Sequence, residues 1–162
     1  MSADQDGNQI RPATEADLPA IGAIDARITG AAKDAYWRDM FDRFGNRADR
    51  YFLLSENAGR VEGYIAGEVR AWEFGSPPSG WVFAIGTDPD ARQRKVASRL
   101  FAAIAEAFRG RGVDTLRTMI ARDDDLIMSF FRSQGMMAGP FVQLEMSVDE
   151  AWPGDDEAEA AS

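Results

Sequence analysis

The chain has 162 residues, 45% of them apolar and 28% charged, the size and balance of a single domain able to bury a core without staples. It contains no Cys and no His, which excludes disulfides, a thiol nucleophile, a Ser-His-Asp triad and the commonest zinc sites. The net charge of −9 gathers at the ends, where residues 1–8 and 149–162 carry eight acids and no base, so the body is near neutral and does not read as a nucleic-acid binder.

Residues 1–8 and 149–162 read as disordered acidic ends, leaving 9–148 as the folded domain. No apolar run approaches the ~18 residues that span a bilayer. The polar opening Met1–Asn8 lacks the apolar region of a secretory signal, so the expectation is a cytoplasmic protein without membrane contact.

Gln9-Ile-Arg-Pro12 starts a short strand. Thr14 can cap the helix that follows, with Asp17 suited to its positive end. Leu18, Ile21, Ile24 and Ile28 keep helical spacing until Gly30 stops them. Tyr36, Trp37, Met40, Phe41 and Phe44 mark a second amphipathic helix, ended at Gly45-Asn46. Tyr51–Leu54 is a compact strand, and Glu56-Asn-Ala-Gly59 has hairpin turn chemistry. Arg60–Trp72 is the returning strand, followed by a loop over 73–80 with two prolines.

Trp81–Gly86 is a third apolar strand, broken at Thr87-Asp-Pro-Asp90. Val96, Leu100, Phe101, Ile104 and Phe108 trace the longest helix. Thr115–Ile120 is a strand and Leu126–Phe131 a helix, with Asp123-Asp-Asp125 as its cap rather than a cation site. Phe141–Val148 alternates as a final strand. Hairpins first and a strand-helix-strand unit later imply an α/β domain (α+β mixed sheet) with helices on both faces.

Ile85–Leu100 carries the clearest chemistry. A buried strand runs into a basic loop, Arg92-Gln93-Arg94-Lys95, and then directly into the long helix at Val96-Ala97-Ser98. Unpaired N–H groups and the dipole at a helix start attract anions, and the basic side chains add charge. A phosphate group is the logical ligand and a pyrophosphate suits the loop length. The plainer alternative is a solvated basic turn.

These residues resemble the GNAT superfamily of N-acetyltransferases. Arg92-Gln-Arg-Lys-Val-Ala97 overlays the family's acetyl-CoA loop, Gln/Arg-x-x-Gly-x-Gly/Ala. Phe130-Phe-Arg-Ser-Gln-Gly-Met136 overlays a later Phe-Tyr-x-x-x-Gly-Phe element, and Ile10–Leu18 resembles the usual opening. The resemblance spans about 9–148 and implies a central mixed sheet with a splayed strand pair. The backbone at Ile85, Gly86 and Thr87 would pair with the pantetheine arm of acetyl-CoA, the cosubstrate. Arg92 through Ala97, with Ser98, would hold the pyrophosphate, and Phe131 and Arg132 would lie near the coenzyme. No metal is implied. Two positions depart from the pattern: Lys95 stands where the first glycine is expected, and Phe131 replaces a tyrosine that in many relatives protonates the departing thiolate. Asp124 also stands where many relatives have Asn.

An acceptor amine of pKa ~10.4 must lose a proton before it attacks, which calls for a carboxylate or an ordered water. Trp81–Ile85 offers no carboxylate. Glu73 and Glu68 are the candidates, with Glu145 a third. Glu73-Phe-Gly75 resembles a segment of a small subgroup of protein lysine acetyltransferases, in which a Glu on this bend works with a Tyr from the helical region; Tyr36 is the matching residue. The resemblance implies direct acetyl transfer to an amine, foremost a protein lysine. A small-molecule amine, a protein N-terminus and a degenerate acyl-CoA-binding sensor stand as alternatives, and a homodimer is left open.

Overall fold

A computed structural model describes residues 7–71 and 73–149, with backbone alone at Glu73 and at Arg92, Gln93 and Arg94. The acidic ends at 1–6 and 150–162, and Trp72 at the expected end of the second hairpin strand, lie outside the described residues.

Five strands form one sheet in the order β1-β2-β3-β4-β5. They are β1 (Asn8–Pro12), β2 (Arg50–Asn57), β3 (Arg60–Arg70), β4 (Ser79–Thr87) and β5 (Leu116–Thr118). The first four pair antiparallel. β5 joins β4 in parallel, because a helix carries the chain back across the sheet. Four helices cover it: α1 (Leu18–Thr29), α2 (Asp34–Phe44), α3 (Val96–Gly110) and α4 (Asp125–Ser133). The mixed sheet with helices on both faces is the architecture expected from the element order.

Local chemistry explains the boundaries. Thr14 donates through its N–H (2.7 Å) and its hydroxyl (3.0 Å) to Asp17 Oδ2, which fixes the entry to α1. Gly30 closes α1 in the left-handed region at φ 79°, its N–H on the Ala26 carbonyl. The β2–β3 turn places Ala58 and Gly59 both at positive φ, the conformation whose twist suits a tight hairpin. Asp124 caps α4 by accepting from the Ile127 N–H at 3.1 Å, as the acidic run predicts.

The sheet divides the core into two layers. Ile21, Ile24, Trp37, Met40, Phe52, Leu54 and Tyr64 fill the side under α1 and α2. Ile65, Val82, Val96, Leu100, Ile104, Phe108 and Phe131 fill the side under α3 and α4. Alternate β3 residues serve the two layers, as a strand buried on both faces requires.

One element departs from expectation. Phe141–Val148 forms no strand; it runs irregular and exposed, with Leu144 90% accessible. The alternation records an amphipathic segment, but β5 pairs over only three residues on its β4 side and offers it no long edge. Phe141 at its start meets the sheet, its ring centroid 4.5 Å from the Arg117 guanidinium of β5. The expected strand over 115–120 likewise contracts to Leu116–Thr118.

Candidate functional site

β4 and β5 pair only at Gly80–Leu116, Trp81–Arg117 and Val82–Thr118. The Thr118 hydroxyl donates to the Val82 carbonyl at 2.8 Å and closes the paired end. Beyond it the strands part. Phe83 sits at an irregularity where β3 passes from Ala66 opposite Ala84 to Gly67 opposite Val82. One extra residue on β4 bends the strand there, as bulges do. From Phe83 to Thr87, β4 keeps β3 on one edge and, among the described residues, has no partner strand on the other. Open backbone groups on a strand edge accept an extended ligand by adding it to the ladder.

A cleft of about 540 Å³ fills this gap. The splayed β4 segment Val82–Ile85 and the chain after β5, Thr118–Ala121, form its sides. Asp25, Lys33, Tyr36 and Tyr64 close it from the α1–α2 face, and Ile127 and Phe131 from α4.

The loop expected to carry phosphate leaves the end of the same strand. Pro89–Arg94 forms a short 3-10 turn. Asp88 caps it by accepting from the Asp90 N–H at 3.0 Å. Asp88 is buried and also accepts from Arg27 and from Arg60, each at 2.7 Å. Desolvation raises the Asp88 carboxyl, but the Asp90 amide, Arg60 and the charge of Arg27 together hold it below its ordinary value. The anchor of the loop therefore stays ionised.

Lys95 joins this turn to α3 at φ 56° and ψ 32°. It adopts the left-handed conformation that the missing glycine takes easily, instead of avoiding it at negative φ. The first bond of α3 runs from Arg99 N–H to the Lys95 carbonyl at 3.1 Å, and among the described residues no side chain caps the helix. The amides of Val96, Ala97 and Ser98 precede that bond, at the positive end of a 15-residue helix. Gln134 ties the end of α4 to this point by donating to the Ser98 hydroxyl at 3.1 Å.

The expected catalytic residues fall in different places. Tyr36 lines the cleft, half exposed, its ring edge-on to Trp37 at 5.2 Å. Glu68 lies on β3 opposite Trp81, on the half of β4 that β5 still covers. It pairs there with Arg70 at 2.9 Å and Arg50 at 3.7 Å. Glu73 begins the bend beyond β3; its side chain lies outside the described residues, while Phe74 and Gly75 beside it take positive φ. Glu145 is exposed in the irregular C-terminal segment. Of the residues expected near the coenzyme, Ile85 and Phe131 line the cleft. Phe131 is buried against Phe101 and Phe130 and brings no hydroxyl. Arg132 is exposed on α4. The side chains of Arg92, Gln93 and Arg94 lie outside the described residues.

The cleft also contains residues that sequence reasoning missed. Asp25 on α1 is buried, accepts from Trp37 Nε1 at 3.1 Å, and lies 3.3 Å from Lys33 Nζ. Tyr64 on β3 stands opposite Gly86, where an added Cβ would fall 2.4 Å from its hydroxyl. Burial, then the negative charge of Asp25, push that hydroxyl well up, so it stays protonated. The signal for Asp25 was present in the chain. It sits four residues from Ile21 and three before Ile28, an acid on the apolar stripe of α1.

A second cleft, of about 520 Å³, lies between α1 and the β2–β3 turn. Its charged groups pair with one another, Arg11 with Asp17 and Glu56, and Arg27 and Arg60 with Asp88, so its polarity is accounted for by structure. Among the described residues no cluster of ligating side chains fits a metal ion, and no helix is long and apolar enough to cross a membrane.

Comparison with known proteins adds to this geometry. The model of the acetyltransferase (GNAT) family matches residues 18–136. Mycothiol acetyltransferase of Saccharomonospora viridis is 27% identical over 133 residues, 74% of this chain and 42% of that protein. The chain thus spans about two fifths of the length of the curated relative it matches. Aminoglycoside 6'-N-acetyltransferase AAC(6')-Ih of Acinetobacter baumannii superposes with a TM-score of 0.74 at 16% identity, over 88% of this chain and 99% of that one. Aminoglycoside N-acetyltransferase AAC(6')-Iy, solved in complex with CoA, superposes with a TM-score of 0.76 at 15% identity, over 91% and 99%. At these identities the two structures establish a shared fold.

Proposed function

The chain belongs to the acetyltransferase (GNAT) family, and from that premise we propose that it moves an acetyl group from acetyl-CoA directly to a primary amine. The observation that carries the reading is the parting of β4 from β5 beyond Val82–Thr118, with the phosphate loop and the start of α3 at the end of the same strand. An extended pantetheine arm fits the open edge of Ile85–Thr87. Its amides find backbone partners there, while the pyrophosphate meets the amides at the start of α3, Val96–Ser98, and the loop Arg92–Lys95. AAC(6')-Iy, of the same fold, is solved with CoA, which supports this assignment.

Bound there, acetyl-CoA supplies an activated acyl group, and the chain supplies position, shielding from water and a proton acceptor. The lack of Cys favours direct attack over an acyl-thiol intermediate. A protein lysine is one acceptor reading, carried by Glu73-Phe-Gly75 and Tyr36. A small amine is the other, supported by aminoglycoside-acetylating neighbours of the same fold. Both present a primary ammonium. A degenerate acyl-CoA sensor is favoured by Phe131, apolar where relatives carry the tyrosine.

The test combines calorimetry with acetyl-CoA and thiol release on a panel of amines and lysine peptides. Binding with turnover is expected. Binding without turnover on any acceptor selects the sensor, and no binding overturns the assignment. Loss of turnover in Glu73→Gln alone, with acetyl-CoA binding kept, would favour the lysine reading.

A further inference from the structure

Asp25 is held differently from Asp17 and Asp88, which accept from arginine guanidinium groups at 2.7–2.8 Å. Asp25 has one neutral donor, Trp37 Nε1, and one ammonium, Lys33 Nζ, and both fall on Oδ2. Its Oδ1 has no protein partner among the described residues. The Lys33 side chain is 40% exposed, so its head exchanges with water at little cost. A buried carboxylate in a cleft, occupied by a replaceable –NH3⁺, is a site already shaped for an ammonium ion.

We propose that the acceptor enters the cleft as a small primary ammonium ion and takes the Asp25 carboxylate over from Lys33. This rests on the acetyl-transfer reading above. Trp37 fixes the carboxylate while the occupant changes. Phe83, Ile28 and Ile120 give the cleft apolar walls beside Asp25, and its second acid, Asp124, is engaged as the α4 cap, which suits an amine on a short carbon frame. A volume of about 540 Å³, shared with the pantetheine arm, limits its size.

The proton count closes. The ammonium gives one proton to Asp25, and the freed nitrogen attacks the thioester carbonyl carbon. The carbon–sulfur bond breaks with its electron pair on sulfur. A second nitrogen proton passes through solvent to that thiolate, and the third remains on the amide. Asp25 then returns its proton to water.

The test uses the full chain, with thiol release from acetyl-CoA and n-butylamine, 1,4-diaminobutane, sisomicin and Nα-acetyl-lysine amide as acceptors. Turnover of at least one is expected. Asp25→Asn should raise that amine's KM about tenfold or more, with acetyl-CoA affinity by calorimetry within about twofold of the parent. Asp25→Glu should recover part of the loss. Lys33→Gln should move the other way and lower the amine KM about threefold, because the competing ammonium is gone. A purely structural Asp25–Lys33 pair would instead make both variants worse. The proposal fails if Asp25→Asn leaves the amine KM unchanged, if Lys33→Gln raises it, or if all four amines are inert while acetyl-CoA binds. Failure to bind acetyl-CoA at all removes the acetyl-transfer reading itself, and this proposal with it.

Discussion

Two single residues hold conformations or charges at a cost that mutation can expose. Lys95 takes φ 56°, a region that costs a side-chain-bearing residue about 1–2 kcal/mol. Glycine relieves that strain but loses more freedom on folding, so Lys95→Gly should stabilise by a net ~0.5–1 kcal/mol and raise the melting midpoint by about 1–4 °C. Acetyl-CoA affinity should hold or improve; a large loss by calorimetry would mean that the lysine ammonium itself contacts phosphate. Asp17 illustrates linkage. Hydrogen bonds from Arg11, offset by burial and helped by Thr14, bring its carboxyl from 3.8 down to about 2. A depressed acid stabilises the fold above the unfolded value and loses that contribution as pH falls through the folded one. Asp17→Asn should therefore cost about 2 kcal/mol in urea unfolding at pH 7, and the gap to the parent should shrink toward pH 2; a gap unchanged with pH would contradict the assignment. The sequence revealed Asp17 through its cap spacing. The apolar stripe of α1 marks Asp25 as buried but says nothing of which neighbour meets the acid.

At the scale of elements, the decisive fact is how closely β3 approaches its neighbours. A Cβ on Gly67 would meet the Trp81 carbonyl at 2.5 Å, Ile104 at 2.9 Å and Phe108 at 3.0 Å. Two of these are core side chains of α3 and the third is backbone of β4, so none yields cheaply. Gly67→Ala should destabilise by about 2 kcal/mol or more and disturb the β3–β4 irregularity that aims Phe83–Thr87 along the cleft. A readable sign is weaker acetyl-CoA binding beside a lower melting midpoint; an unchanged midpoint would refute the tight packing. Most elements were legible from periodicity and turn chemistry, since Gly30, Gly45 and Ala58-Gly59 end them where expected. The splay was not. Nothing in Trp81–Gly86 announces that β5 stops at Thr118, because pairing length belongs to the partner strand; only the resemblance foretold it.

For the whole molecule, the sheet separates two cores; Met136 still packs on the second, and residues 141–148 join neither. Residues 141–148 carry the alternation of a half-buried strand, with Val142, Leu144, Met146 and Val148 on one side. In the structure all four are exposed, Leu144 by 90%. The two views predict different numbers. A packed strand would bury Leu144, and a charge there would cost several kcal/mol through the unpaired buried group. An exposed segment tolerates the change, so Leu144→Asp should alter unfolding free energy by less than about 0.5 kcal/mol. Leu100→Ala, in the α3 layer at 0% exposure, should cost about 2–5 kcal/mol and serves as the contrast. Amide exchange over 141–148 should likewise approach that of an unfolded chain while β3 stays protected. Should Leu144→Asp lose as much as Leu100→Ala, the segment must pack in solution, and the open side of β5 is the surface that would receive it.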